Sequence, residues 1–225
     1  MKNTNQMTIA DRKVSTKEIE DLCAAGQTVV LRHCNLTGLN LSQNDMSGWR
    51  FEQCILAGAS FNGAMLEGTV FEGCRAAGGS FVSAVMTEGG DFSNTSFRGA
   101  TLAAMKICHC KMTGADLSET QMMGVEVEDV LFVFALLSET SFRQMTLRQI
   151  DFGDADLWSC DFRETVFEDC SLRDANLSDC RFEHADLRGA DLGGVKLTDA
   201  KRFKGAVISK RQAADLLSQL GLQVQ

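Results

Sequence analysis

The chain has 225 residues, no proline, no tyrosine, nine cysteines and a formal charge of −8. No apolar run approaches the roughly 18 residues a membrane span needs, and Met1-Lys2-Asn3-Thr4-Asn5-Gln6 lacks the apolar core of a secretory signal. With 30 acids against 22 bases, the field has the wrong sign for a nucleic-acid surface, so the expectation is a soluble, cytoplasmic protein with no direct nucleic-acid or membrane partner.

Residues 1–27 read as a polar N-terminal segment followed by a capping helix. The first 14 residues are polar and expected to be loose. Ser15-Thr16-Lys17-Glu18 has capping-box spacing, Ile19, Leu22 and Cys23 follow on one stripe, and Gly26 ends the helix. Such a helix would cover Thr28-Val29-Val30-Leu31, a first strand whose backbone otherwise presents an open edge.

From 28 to 203 the chain keeps a five-residue beat. Large apolar residues fall at Leu31, Leu36, Leu41, Met46, Phe51, Leu56, Phe61, Leu66, Phe71, Phe81 and Met86, with Ala76 between. The beat slips by one residue within Thr87-Glu88-Gly89-Gly90-Asp91. It resumes at Phe92 and runs through Phe132, Phe152, Phe162 and Phe167 to Leu197. Neither a helix of period 3.6 nor a strand of period 2 needs this pattern. Two positions before the beat the residues are small, as at Cys34, Cys54, Ala59, Ala64, Cys74, Ala100, Ala135, Cys160, Cys170 and Cys180. A large apolar residue paired with a small one at fixed offset suits a narrow tube, with Asp, Ser, Arg, Glu, Asn and Gly left for its outside. Cysteines on the small lattice read as reduced hydrophobes rather than a disulfide framework. Leu39 and Trp49 stand where a small residue is wanted, so the first two coils are expected to be distorted. The inserted residue at 87–91 is expected to make a bulge.

The pattern is clearest in Ala185-Asp186-Leu187-Arg188-Gly189 and Ala190-Asp191-Leu192-Gly193-Gly194, and it resembles the pentapeptide-repeat family over roughly residues 29–203. That resemblance implies an all-β solenoid: a right-handed quadrilateral β-helix, four pentapeptides per coil, close in width to duplex DNA. Stacked coils let each backbone group pair above and below, and one repeat cannot bury its apolar face alone. At about 4.8 Å per coil, some eight to nine coils make a rod on the order of 40 Å long.

Residues 204–225 read as a C-terminal α-helix and short extension. Ser209-Lys210-Arg211-Gln212 repeats the capping pattern, and Ala213, Leu216, Leu217 and Leu220 fall at i, i+3, i+4 and i+7. Gly221 ends the helix, and Leu222-Gln223-Val224 reads as a short strand. So short a helix is marginal alone, and its stripe must pack on the last coil or on another subunit. The ending resembles that of the topoisomerase-protecting members of the family, the quinolone- and albicidin-resistance types. This implies a homodimer through Ala213, Leu216, Leu217, Leu220 and Leu222, with a monomeric cap as the alternative.

Charge is uneven along the rod. Residues 1–111 hold ten acids and ten bases; 112–200 hold nineteen and seven, hence −12; 201–225 hold one and five, hence +4. Asp151, Asp154, Asp156, Asp161, Glu164, Glu168, Asp169, Asp174 and Asp179 form the densest part and are expected to make an acidic, DNA-like face for a protein partner. A solvated surface that comes with an Asp-rich consensus is the plainer reading. A second candidate surface is apolar: Leu131, Val133, Phe134 and Leu136 fall on outward positions, and an exposed apolar cluster suggests a contact site.

Catalytic chemistry is not legible. Cys108-His109-Cys110 is the one dense set of metal-ligand types, but Cys110 lies on the inward lattice and Cys108 one past the beat, so no metal or cofactor is expected. Carboxylates on a convex rod have no cleft to tune them, and no phosphate-cradling loop is present. The resemblance implies a non-enzymatic protein that binds DNA gyrase or topoisomerase IV and protects it from a drug or toxin, although the projecting loops of quinolone-protecting members are not apparent. The alternative is an interaction scaffold, such as a secreted bacterial effector, with no topoisomerase role.

Overall fold

Most five-residue units turn a corner by a hydrogen-bonded β-turn that begins at the beat residue. Leu36 O accepts from Leu39 N at 3.1 Å and Phe132 O from Ala135 N at 2.9 Å. The third turn residue is left-handed, with φ of 68° at Gly38 and 59° at Phe134. That is type II geometry, free for glycine and costly for a bulky side chain. Four corners bring the chain back above itself, so Asn35 pairs with Ile55, Asn40 with Ser60 and Asp45 with Met65, all in parallel.

The computed structural model describes residues 7–193, 200–218 and 221–223. They form a right-handed quadrilateral β-helix. Its first parallel sheet runs β1 (Met7–Ala10), β2 (Val29–Arg32), β3 (Arg50–Glu52) and β4 (Val70–Glu72). The second contains β5 (Val85–Met86), β6 (Lys106–Lys111), β7 (Glu126–Leu131), β8 (Thr146–Asp151), β9 (Val166–Glu168), β10 (Cys170–Ser171) and β11 (Ala190–Asp191). Its order is β11-β10-β8-β7-β6-β5, with β9 also paired to β8. Helix α1 (Thr16–Ala24) lies at one end and α2 (Lys210–Ser218) at the other.

The axis is filled by the beat. Phe51, Phe61, Phe71, Phe81, Phe132, Phe142, Phe152 and Phe162 are fully buried. Rings stack from coil to coil: Phe51 on Phe71 at 4.5 Å, Phe61 on Phe81 at 4.8 Å, Phe142 on Phe162 at 5.1 Å. These distances match the strand spacing, so the backbone ladder sets the ring stack. The small lattice has chemistry of its own. The Cys54, Cys74, Cys160 and Cys180 thiols donate to the carbonyls of Leu31, Phe51, Leu137 and Leu157 at 3.3, 3.1, 3.1 and 3.0 Å. Thr69 and Thr165 do the same to Met46 and Phe142 at 2.9 and 2.7 Å. A short side chain carrying one donor fits the axis and satisfies a beat carbonyl of the coil below. All nine cysteines are free.

Several expectations are corrected. Residues 7–14 are not loose: β1 pairs in parallel with β2, Lys13 pairs with Asn35, and Ile9 and Val14 are buried. They start a coil below Leu31, one beat apart, and α1 interrupts it; an intervening helix hides the register from the sequence. Coils one and two are not distorted. Trp49 N donates to Met46 O in an ordinary turn and Arg50 pairs with Val70 in register. Trp49 is one residue before Arg50, which pairs with Val30, and it is buried in the core with Val29.

The slip is absorbed without a loop. Above the first coil, ladder partners are 20 apart from Asn35–Ile55 through Met65–Val85, 21 apart from Val70–Asp91 to Val85–Lys106, and 20 again at Asp91–Lys111. Glu88 and Gly89 are consecutive left-handed residues, with φ of 55° and 83°. A Cβ on Gly90 would lie 2.7 Å from the Phe92 ring, so that corner has no space for a side chain. A second one-residue slip follows Gly193. Asp186 pairs with Val207, 21 residues on, and Phe182 stacks on Phe203 at 5.0 Å. Leu197, expected on the beat, lies outside the described residues.

Candidate partner-binding surface

Aspartate before the beat serves the turn. Its carboxylate accepts the backbone N–H two residues on, as in Asp116–Ser118 at 3.0 Å, Asp151–Gly153 at 2.9 Å, Asp156–Trp158 at 3.1 Å and Asp161–Arg163 at 3.2 Å. This Asx-turn explains why the repeat favours Asp at that position whatever the protein binds.

What distinguishes the acids is their second partner. Asp161 pairs with Arg163 and Arg181 at 2.7 and 2.8 Å, Glu164 with Arg143 at 2.7 Å, Glu168 with Arg148 at 2.7 Å and Asp179 with Arg202 at 2.6 Å. Asp186 and Asp191 pair with Arg188 and Arg173 at 2.6 and 2.8 Å. Burial pushes the Asp161 carboxyl up, but hydrogen bonds from the Arg163 side chain and backbone and the charge of Arg181 outweigh it, and the net shift is downward. By contrast, Asp151, Asp154, Asp156, Asp169 and Asp174 have no ion pair among the described residues.

Nor do these acids share one face. Asp151, Asp154 and Asp174 lie on the side led by Phe152 and Leu172; Asp156 and Asp179 on the Leu157 side; Asp161 and Glu164 on the Phe162 side; Glu168 and Asp169 on the Phe167 side. The dense acidic run wraps the whole rod, and arginine neutralises much of it. The uncompensated part concentrates on the Phe152 side and its neighbour.

The apolar candidates are on the surface. Leu131, Phe134 and Leu136 are 37%, 60% and 43% exposed, and Val133 is half-buried. Leu131 sits between Lys111 and Asp151 in the ladder, and Leu136 between Asp116 and Asp156. The Phe134 N–H donates to Gly153 O at 3.0 Å, which sets the ring beneath Asp154. The apolar cluster and the unpaired carboxylates therefore adjoin. Sequence reading treats them as two surfaces because they are separated along the chain; counting by twenty would join them.

At the C-terminus, Ser209 Oγ accepts from Gln212 N at 3.2 Å and Gln212 Oε1 from Ser209 N at 2.7 Å, the reciprocal capping box. Gln212 also donates to the carbonyls of Leu187 and Ala190, both at 2.7 Å, and so ties α2 to the rod. Leu216 is buried in the rod's own core cluster, Ala213 is half-buried, and Leu217 and Leu222 are 38% and 53% exposed. Leu220 and Val224 lie outside the described residues, and Leu222 and Gln223 are not in a strand. A cleft of about 500 Å³ under α2 is lined by Arg173, Arg188 and Arg211, two of them already held by Asp191 and Asp186. Cys110 is buried with its thiol on the Met86 and Cys108 carbonyls at 3.4 and 3.0 Å, while His109 is exposed and bonded to Asp129 at 2.9 Å. Among the described residues no three His, Cys, Asp or Glu side chains gather as a metal site, and no helix is long and apolar enough to cross a membrane.

The family model of pentapeptide repeats matches residues 34–73, 90–129, 135–174 and 166–201. The chain belongs to the pentapeptide-repeat family. The unmatched stretch between 73 and 90 leads into the slip, where the five-residue beat fails. No curated protein matches this pentapeptide-repeat chain. Among solved structures it is similar to QnrB1, a plasmid-mediated fluoroquinolone resistance protein. A trypsin-treated variant of QnrB1 gives a TM-score of 0.73 at 19% identity, covering 98% of each chain. The full-length protein gives 0.71 at 18%, covering 96% of this chain and 98% of the other. At that identity the likeness speaks for the fold.

Proposed function

We propose that this pentapeptide-repeat protein is a non-enzymatic, cytoplasmic binding protein whose acidic rod engages a type II topoisomerase, DNA gyrase or topoisomerase IV, and protects it from a drug or toxin. The observation that carries the reading is a group of carboxylates without ion pairs among the described residues, concentrated on the Phe152 side and its neighbour, on a solenoid whose fold matches that of a fluoroquinolone resistance protein end to end. A negative rod repels nucleic acid and suits a protein groove built to receive it. The beat gives way to single inserted residues rather than to projecting loops among the described residues, so contact falls to the sides of the rod.

The same reading makes the protein a homodimer through its C-terminal end. Leu217 and Leu222 are exposed there among the described residues, as are Val207 and Ile208, and Leu216 serves the protein's own cap. The test is supercoiling by purified gyrase, with micromolar protein, in the presence and absence of a fluoroquinolone or albicidin. Altered supercoiling or altered drug sensitivity is expected. No change in either overturns the reading.

A further inference from the structure

We infer that Leu131, Val133, Phe134 and Leu136, together with Asp151, Asp154 and Asp156 of the next coil, form one docking surface for a protein presenting an apolar pocket bordered by lysine or arginine. This deepens the proposed function, since it rests on the protein being a binding module, but it does not require the partner to be a topoisomerase.

The first argument is that folding gives no reason for Phe134. Its backbone is left-handed at φ 59°, where the other described non-glycine residues are polar or small, such as Gln43, Asn94, Ala104, Glu119, Asp154 and Asp174. A left-handed backbone disfavours bulky L side chains, and an exposed ring adds little to the core. Phe134 therefore meets a conformational cost without a packing gain. Leu131 and Leu136 likewise occupy ladder positions held by Asp151 and Asp156 one coil on.

The second argument is steric. Gly114 lies below Phe134 in its column, with Gly114 N donating to Val133 O at 2.8 Å, so the residue directly below brings no side chain of its own and only the polar Asn94 side chain reaches that position from the coil beneath. Trp158, 41% exposed, extends the apolar surface one coil on, and its indole N–H is held by Asp179 at 3.0 Å.

The third argument is charge. Asp116, Asp151, Asp154 and Asp156 border the cluster without an ion pair among the described residues, and Lys111 is the base in ladder register with Leu131. An apolar centre with an acidic rim selects a basic, apolar-pocketed protein and rejects nucleic acid. It also rejects a second copy of this chain, because a twofold contact through the patch would set these carboxylates against themselves.

The experiment uses the full chain with Phe134→Asn and Leu136→Ser, and separately the triple change Asp151→Asn, Asp154→Asn, Asp156→Asn, which keeps the Asx-turn acceptors. Purified gyrase and purified topoisomerase IV are the probes. We expect each set to weaken binding by roughly tenfold or more at unchanged thermal unfolding, and the triple change to flatten the salt dependence. If the unmodified protein binds either enzyme and the Phe134 and Leu136 changes bind equally well, the docking surface is wrong while the proposed function stands. If the unmodified protein binds neither gyrase nor purified topoisomerase IV, the proposed function fails. The surface is then judged by photo-crosslinking from p-benzoylphenylalanine at position 134 in cell extract. Adducts on a partner peptide with Lys or Arg beside apolar residues support it. Adducts confined to a second copy of this chain, or none at all, overturn it.

Discussion

Phe152 and Phe134 are two positions apart in the repeat and lie in adjacent coils, yet their side chains obey opposite physics. Phe152 is fully buried, with Phe132 and Phe142 rings at 5.6 and 5.7 Å. Phe152→Ala is expected to cost about 3–5 kcal/mol in urea unfolding, and Phe152→Asp to prevent folding of the coil. Phe134→Gly gives up no core contact. Relief of about 1–2 kcal/mol of left-handed cost works against glycine's extra entropy of about 0.5–1 kcal/mol, so stability should hold or rise slightly in the same assay. Asp161 makes a pH prediction. Its folded carboxyl titrates below its ordinary value, so its contribution is present above about pH 4 and is lost as pH falls through the lower, folded value. Urea unfolding of the unmodified protein and Asp161→Asn should differ at neutral pH and converge in acid. Beat residues such as Phe152 are legible from spacing alone. The partner of Asp161 is not, because Arg163 reaches it within one coil and Arg181 from the next.

At the scale of elements, the two ends show how a solenoid is closed. An open last coil would leave the Ala190 carbonyl without the donor a further coil supplies; Gln212 provides it from α2 and adds a second bond to Leu187 O, which also accepts from Ala190 N at 2.9 Å. Leu216 seals the same end. Leu216→Glu should therefore loosen the terminal coil, seen as faster amide exchange around Ala190 while the central strands stay protected, since neighbouring repeats contribute separately. Leu217→Glu should leave exchange unchanged and, on the dimer proposal, give a single subunit by light scattering. The N-caps at Ser15 and Ser209 are readable because a cap is a local contact three residues long, although only Gln212 returns the bond and Glu18 turns to Arg12 instead. The strand at Met7–Ala10 is not, because its partner lies beyond an intervening helix.

For the whole molecule, burial is nearly uniform along the axis, and the thiols report it. Burial pushes Cys110 and Cys180 up to about 12 and the half-buried Cys23 up to about 11. The native protein should thus resist a thiol reagent at pH 8, with Cys23 reacting slowly, and all nine cysteines should react once the rod is unfolded in denaturant. A disulfide-linked or loosely packed chain would give a different count. The period of five and the small-large alternation, with the family resemblance they carry, were enough for the sequence by itself to imply a square β-helix and its axis, though not the first coil at residues 7–14. A packed core depends on which residues are apolar, and that is written in order along the chain. Only the tertiary structure decided which carboxylates have no ion pair among the described residues and that they adjoin Phe134. Those facts depend on side chains about twenty residues apart, on inserted residues that shift the count, and on which of several nearby acids each arginine reaches.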